Sequence, residues 1–87
     1  MANDTARYPL ITKPASSLAQ TLATNVTALR SQQGLSKQMF ALMAGISRPM
    51  LNRIESGEAD TRLSYVQRIA DALGVEPTYL LTPHDAE

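Results

Sequence analysis

Apolar residues recur at helical spacing in the first half of the chain. They are separated by steps of four, four and three residues, which place them on one face of a helix: Leu18, Leu22, Val26 and Leu29. Ser17 and Gln20, three residues apart, have the pattern of a capping box at the start of this helix. Gly34 is suited to end it. The pattern predicts a first helix from about Ser17 to Gln33.

A second apolar stripe lies near the C-terminal end and predicts a helix from about Arg62 to Leu73. It consists of Leu63, Val66, Ala70 and Leu73, with Ile69 beside it. Gly74 is predicted to end this helix, and Val75 to pack back against it. Pro77 can begin a last short helix that runs to Leu81, because the N–H that proline lacks has no partner in a first turn. Tyr79, Leu80 and Leu81 are predicted to close the core.

Between these stripes, residues 37–55 read KQMFALMAGISRPMLNRIE and predict two short helices around Gly45. Ser36 is a favourable N-cap for one helix, which ends at Ala44 and directs Phe40 and Met43 to the core. Gly45 tolerates the positive φ that a sharp turn requires.

The next helix is predicted to start at Ser47 and to run to about Ser56, with Gly57 ending it. Pro49 is acceptable in its first turn, although proline disfavours helical geometry at Arg48 and could shift the cap by one residue.

The spacing of five residues in this stretch matches a helix-turn-helix. A small residue is needed where the two helices cross, a glycine in the turn, an apolar residue that plugs it, and two apolar anchors on the second helix. These roles fall on Ala41, Gly45, Ile46, Leu51 and Ile54. The predicted fold is therefore all-α, a compact five-helix domain with a central helix-turn-helix.

The second of these helices has an outward face suited to DNA. If Leu51 and Ile54 point inward, the residues left on one outer face are Arg48, Pro49, Asn52 and Arg53. Arginine can bond guanine through two donors, and asparagine can do the same with adenine. These features predict a recognition helix that lies in the major groove.

Composition narrows the class of protein. The chain has 87 residues, enough for one small domain, and it contains no cysteine. With His84 as the single histidine, we predict neither a metal site nor a cofactor, and we expect His84 to be solvated. No apolar run approaches the roughly 20 residues that cross a bilayer, and the N-terminus lacks the features of a signal peptide. We expect a cytoplasmic protein without a membrane partner.

The net charge of zero conceals an asymmetry. Residues 1–53 contain six basic residues and one acidic residue, whereas residues 54–87 contain two basic residues and seven acidic ones. No carboxylate lies between Asp4 and Glu55, so the potential over the predicted recognition helix should be positive. Charges scattered by chance over a solvated surface are the alternative explanation.

From about Leu22 to Leu81 the chain resembles the Cro/phage-repressor type of helix-turn-helix domain, the XRE family. The matching segments are LRSQQGLSKQMFALMAGIS, LNRIESG, RIADALGV and YLL, in the order found in that family. The resemblance implies a repressor-like fold that binds double-stranded DNA as a homodimer.

The resemblance also implies roles for individual residues. The positions that match base-reading residues are Arg48, Pro49, Asn52 and Arg53; those assigned to phosphates are Ser36, Lys37, Ser47 and Arg62. Arg30 and Glu55 match a structural ion pair between the first and third helices. Three departures stand out. Pro49 can offer a base only apolar contact, and Lys37 stands where the family usually has glutamine. The loop after the third helix, which often approaches phosphates in the family, carries Glu58 and Asp60, which would oppose them.

The sequence predicts three regions: an arm over residues 1–14, a helix-turn-helix domain over 15–82 and a tail over 83–87. For the arm, three alternatives stay open. Arg7 and Lys13 could contact DNA, Leu10 and Ile11 could pair with a second subunit, or the segment could be a disordered tail.

The predicted function is a sequence-specific DNA-binding transcriptional regulator, a repressor that binds a two-fold operator as a dimer. The alternative is an antitoxin-like or adaptor module whose acidic C-terminal half or N-terminal arm binds a protein partner, with DNA binding secondary. Met39, which helix phase places away from the side of Phe40, could also contact a partner. The chain is not predicted to be an enzyme, because it has no nucleophile–base set, phosphate-binding glycine loop or ligand cluster.

Overall fold

Five helices form the part of the chain that the computed structural model describes, residues 17–58 and 60–84, and no strand occurs there. They are α1 (Leu18–Gln32), α2 (Lys37–Ala44), α3 (Arg48–Glu55), α4 (Leu63–Leu73) and α5 (Pro77–Leu80). The predicted all-α fold is therefore confirmed. The predicted arm and residues 85–87 of the predicted tail lie outside the described residues. None of the five helices combines the length and apolar character needed to cross a membrane.

Three serines fix the starts of the first three helices. Ser17, Ser36 and Ser47 each accept a hydrogen bond from the backbone N–H three residues later, at 3.0–3.1 Å. Such a bond satisfies one of the N–H groups that a helix start leaves unpaired. The cap of α3 stays at Ser47, so Pro49 does not shift it. The side chain of Gln20 lies near Gly57, so it does not form the second hydrogen bond of the predicted capping box, the one to the backbone N–H of Ser17.

All five helices contribute to one core. The largest fully buried side chains are Val26, Phe40, Leu51, Ile54, Ile69 and Leu80. Leu29 and Met50 are half-buried and pack against this core. α3 packs on α1, and α2 packs on both α3 and α4, so the core holds the two helices of the helix-turn-helix from behind.

Four residues predicted to face the core are exposed: Leu18 (61%), Met43 (50%), Leu63 (79%) and Tyr79 (42%). Leu18 and Leu63 are the first residues of α1 and α4, and these apolar stripes extend past the region that neighbouring helices cover. In α2 the buried side is taken by Phe40 and Ala44, which are four residues apart, and this turns Met43 outward. The ring of Tyr79 stacks on the exposed His84. The core prediction was wrong at these four positions.

α5 is held in place by a buried polar residue of α1. Asn25 donates hydrogen bonds through Nδ2 to the backbone carbonyls of Tyr79 (3.2 Å), Leu80 (2.9 Å) and Thr82 (2.9 Å). A four-residue helix leaves its last carbonyls without hydrogen-bond donors from later turns of the helix, and the side-chain amide of Asn25 supplies donors to them. His84 is exposed but not free. Its ring stacks on Tyr79 at 3.8 Å between centroids, and its Nε2–H donates to the Tyr79 carbonyl.

Replacement of Asn25 tests this arrangement. Asn25→Ala should lower the free energy of unfolding by about 1–3 kcal/mol, because buried carbonyls lose their donor. Asn25→Asp should lower it further, because carboxylate oxygens would face three carbonyl oxygens. Urea unfolding measures both, with the exposed neighbour Thr24→Ala as the control, which should change the free energy by less than about 0.5 kcal/mol. An Asn25→Asp variant as stable as the wild type would contradict the account.

Candidate nucleic-acid interface

The turn between α2 and α3 is tight. Gly45 has φ 72° and ψ 34°, in the left-handed region that glycine enters without steric cost. The N–H of Ile46 donates to the carbonyl of Ala41 at 3.0 Å, which closes the end of α2. Ala41 is buried, as the close approach of two helices requires. Two residues after Gly45, Ser47 already caps α3.

α3 has one buried and one exposed side. Leu51 and Ile54 are 0% and 1% exposed and anchor the helix in the core. The four residues predicted to read bases all lie exposed on the helix: Arg48, Pro49, Asn52 and Arg53. Within residues 17–58 and 60–84, the side chains of Arg48, Asn52 and Arg53 form no hydrogen bond or ion pair; the Ser56 hydroxyl donates only to the backbone carbonyl of Arg53. Their donors are therefore available to a ligand.

An ion pair ties α3 to α1. Arg30 donates from Nε to Oε2 of Glu55 at 2.6 Å and from Nη2 to Oε1 at 3.0 Å. Its Nη1 donates to the carbonyl of Leu35 at 2.8 Å, so one guanidinium also holds the loop before α2. The side chains of Arg30 and Glu55 are only 14% and 5% exposed. The hydrogen bonds to Glu55 raise the pKa of Arg30. Both side chains are engaged inside the protein and do not join the exposed face of α3.

The residues assigned to phosphates stand at three helix starts. Ser36 and Ser47 use their hydroxyl oxygens as caps for α2 and α3, and the first N–H groups of a helix can bind an anion. Lys37 is the first residue of α2 and is half-buried. Arg62 precedes α4, and its Cζ lies 6.0 Å from the ring centre of Tyr65. Within residues 17–58 and 60–84, no side-chain hydrogen bond or ion pair joins Arg62 to the exposed face of α3.

The loop after α3 is anchored but acidic. The N–H of Glu58 donates to the carbonyl of Arg53 at 3.2 Å. At Gly57, where φ is 79°, an added Cβ would lie 2.5 Å from Oε1 of Gln20, so a larger residue would displace that side chain. Glu58 and Asp60 are exposed and oppose the approach of phosphates.

Two polar contacts between separate elements of the fold were not predicted from the sequence. Arg68 donates from Nη1 to the carbonyl of Gly45 at 3.0 Å, across 23 positions of the chain. Gln33 donates from Nε2 to the carbonyl of Leu73, the last residue of α4, at 3.0 Å. Neither residue belongs to an apolar stripe, and the family resemblance of their segments assigned no role to either. Only the folded arrangement brings these donors to their acceptors.

The fold and this exposed face define a helix-turn-helix DNA-binding domain. The helix-turn-helix family model HTH_3 matches residues 26–80, more than half of the chain, and the chain belongs to this family. The predicted resemblance to the Cro/phage-repressor type is thereby confirmed. The family is one of DNA-binding regulators and not an enzyme class.

Solved structures are similar in fold and sequence. A hypothetical transcription factor NHTF from Neisseria has a TM-score of 0.75 and 29% identity, with 86% of each chain covered. The restriction-modification controller protein C.AhdI from Aeromonas hydrophila has a TM-score of 0.68 and 27% identity, covering 71% of this chain and 94% of that one. An HTH_3 family transcriptional regulator from Vibrio cholerae has a TM-score of 0.68 and 28% identity, with 72% of this chain and 35% of that one covered. No curated protein matches the sequence.

The ion pair can be tested by removing one partner and then both. Arg30→Met should lower the free energy of unfolding by about 3–5 kcal/mol, because it leaves the Glu55 carboxylate buried and unpaired. Adding Glu55→Met should restore part of that loss, since two apolar side chains would replace two charges. Urea unfolding of both single variants and the double variant measures the coupling. Losses that simply add, or a single-variant loss below about 1 kcal/mol as for a surface pair, would contradict this role.

Proposed function

We propose that this chain is a sequence-specific transcriptional regulator that inserts α3 into the major groove of DNA. The observation that carries the proposal is the exposed face of α3, where the side chains of Arg48, Asn52 and Arg53 form no hydrogen bond within the described residues. The buried face of the same helix fixes their direction. The predicted domain of residues 15–82 contains the whole family match, which supports it as the DNA-binding unit.

Each side chain on this face has a chemical match on a base edge. A guanidinium can donate to O6 and N7 of guanine, and a carboxamide can bond N6 and N7 of adenine. Each such paired contact contributes about 1–3 kcal/mol of discrimination against the wrong base. Pro49 has no donor and offers an apolar surface, which suits the methyl group of thymine.

Phosphate contacts would hold the helix in the groove. Lys37 provides a charge at the start of α2, and the N–H groups behind Ser36 and Ser47 provide dipoles aimed outward. Arg62 adds a charge at the start of α4. Glu58 and Asp60 work against these contacts, so non-specific binding should be weaker than for a relative with a basic loop.

The proposed assembly is a homodimer on a two-fold operator, with half-sites about 34 Å apart. One short recognition helix presents only three polar base-reading side chains, so a second copy would double the sequence that is read. An apolar surface suited to a second copy surrounds Leu18 and Leu63. Together with Leu22, Val66 and Leu81 they line a groove of about 120 Å³. Bound in this way, the dimer would repress by occluding a promoter, with no chemical step.

A second candidate function is an adaptor that binds a protein partner. The observation in its favour is an exposed apolar face on α2, formed by Met39 (50%), Leu42 (75%) and Met43 (50%). Exposed apolar patches often mark protein interaction sites. The two functions are compatible, because this face and the exposed face of α3 belong to different helices.

Binding measured against salt concentration tests the leading proposal. The logarithm of the association constant should fall linearly with the logarithm of salt concentration, by about 0.9 for each phosphate neutralised. Lys37→Ala should weaken all duplexes equally and reduce that slope by about one. Arg53→Ala should instead relax the preference among duplexes of different sequence.

The matched control is Gln32→Ala, an exposed polar position at the far end of α1, which should change neither quantity. A wild-type slope near zero would contradict DNA binding. If Arg53→Ala weakened every sequence equally, Arg53 would contact phosphate and would not read bases.

Variants of two similarly exposed leucines test which surface forms the dimer: Leu63 on the proposed dimer surface and Leu42 on the exposed apolar face of α2. Leu63→Glu should shift the protein from dimer to monomer in sedimentation equilibrium, because a carboxylate would be buried between the copies. Leu42→Glu, at 75% exposure against 79% for Leu63, should leave the dimer intact. The reverse result would place the self-association surface on α2, and a wild-type monomer at all concentrations would contradict the dimer.

A further inference from the structure

Arg68 lies on α4, outside the helix-turn-helix, yet it bonds the turn at its centre. Its Nη1 donates to the carbonyl of Gly45 at 3.0 Å. Its Cζ lies 5.6 Å from the centre of the Tyr65 ring, within the range of a cation–π contact. Arg62 approaches the same ring at 6.0 Å. The ring of Tyr65 therefore has two arginines near it, Arg62 and Arg68. Of these, Arg68 also reaches the turn.

The bonded carbonyl belongs to the most adaptable residue of the turn. Glycine has more accessible backbone conformations than any other residue, so its geometry must be held by bonds from outside. The N–H groups of Gly45 and Ile46 are held by carbonyls of α2, at 3.2 Å and 3.0 Å. The carbonyl of Gly45 faces the other way, and Arg68 is its partner. The residues that follow Gly45 determine the direction of α3.

We propose that Arg68, steadied by Tyr65, is a positioning residue that fixes the turn and hence the angle at which α3 presents its reading side chains. This role rests on the proposed DNA-binding function. A guanidinium suits it, because its planar group can lie on the aromatic ring while one N–H reaches the carbonyl. Arg62 has the ring contact without the bond to the turn, and we assign it to phosphate.

Two readouts distinguish positioning from direct contact with DNA. The first is the exchange rate of the Ile46 amide, whose bond to Ala41 spans the turn. Arg68→Ala should accelerate this exchange by about three- to tenfold, since one hydrogen bond of ordinary strength is removed. The second is DNA binding against salt. Affinity for a preferred duplex should fall by about three- to tenfold while the salt slope stays unchanged, because no phosphate contact is lost.

Companion variants make the test specific. Arg68→Lys keeps the positive charge and N–H donors but loses the planar guanidinium, so relative to Arg68→Ala it should restore part of the affinity and part of the protection of Ile46. Gln67→Ala, the adjacent exposed position on α4, is the matched control and should match the wild type in both readouts. Thermal unfolding of every variant shows that the fold is retained. If Arg68→Ala does not fold, the exchange of the Ile46 amide and the affinity for DNA are compared between Arg68→Lys and the wild type instead.

Other outcomes overturn the inference. A uniform loss of affinity with a salt slope reduced by about one, and unchanged exchange at Ile46, would make Arg68 a phosphate contact. No change in either readout would also overturn it. If the wild type showed no salt-dependent binding, the DNA-binding function would fail by itself. Faster exchange at Ile46 would then still support the restraint of the turn, and unchanged exchange would refute it.

Discussion

The ion pair between Arg30 and Glu55 is the constraint on which the orientation of α3 depends. A carboxylate that is 5% exposed must be paired, and Arg30 pairs it through two hydrogen bonds while a third bond holds the Leu35 carbonyl. The last turn of α3 is therefore fixed to α1 and to the loop that leads into α2. Leu51 and Ile54 bury the same side of the helix. Because one side of α3 is held against the core, the opposite side faces solvent. That exposed side carries the arginine and asparagine side chains that can bond base edges.

The sequence was sufficient where the determinants are local. Ser17, Ser36 and Ser47 cap helices within three residues, and Gly45 supplies the positive φ that the turn requires. The sides of α3 could also be predicted, because a period of 3.6 residues fixes which side chains oppose Leu51. Burial at helix ends could not be predicted in this way. Whether Leu18 or Leu63 is covered depends on how far a neighbouring helix extends, and the periodicity of a single helix gives no information about its neighbours.

Long-range polar bonds were the least predictable part of the structure. Asn25 bonds carbonyls that lie 54 to 57 residues later, and Arg68 bonds one that lies 23 residues earlier. In the sequence both are polar residues on helices, with no pattern that distinguishes them from surface positions. The ion pair of Arg30 and Glu55 was expected only because the chain resembles a known family. These bonds set the relative placement of helices whose existence the local pattern already predicts.

We propose that the exposed face of α3 reads DNA sequence, and the decisive measurement is the selection of bound duplexes from a random pool. The wild type should enrich an inverted repeat with half-sites about 34 Å apart. Asn52→Ala should enrich a repeat of the same spacing that has lost its preference at one base pair of each half-site. No enrichment by the wild type, or an identical sequence enriched by Asn52→Ala, would contradict the account.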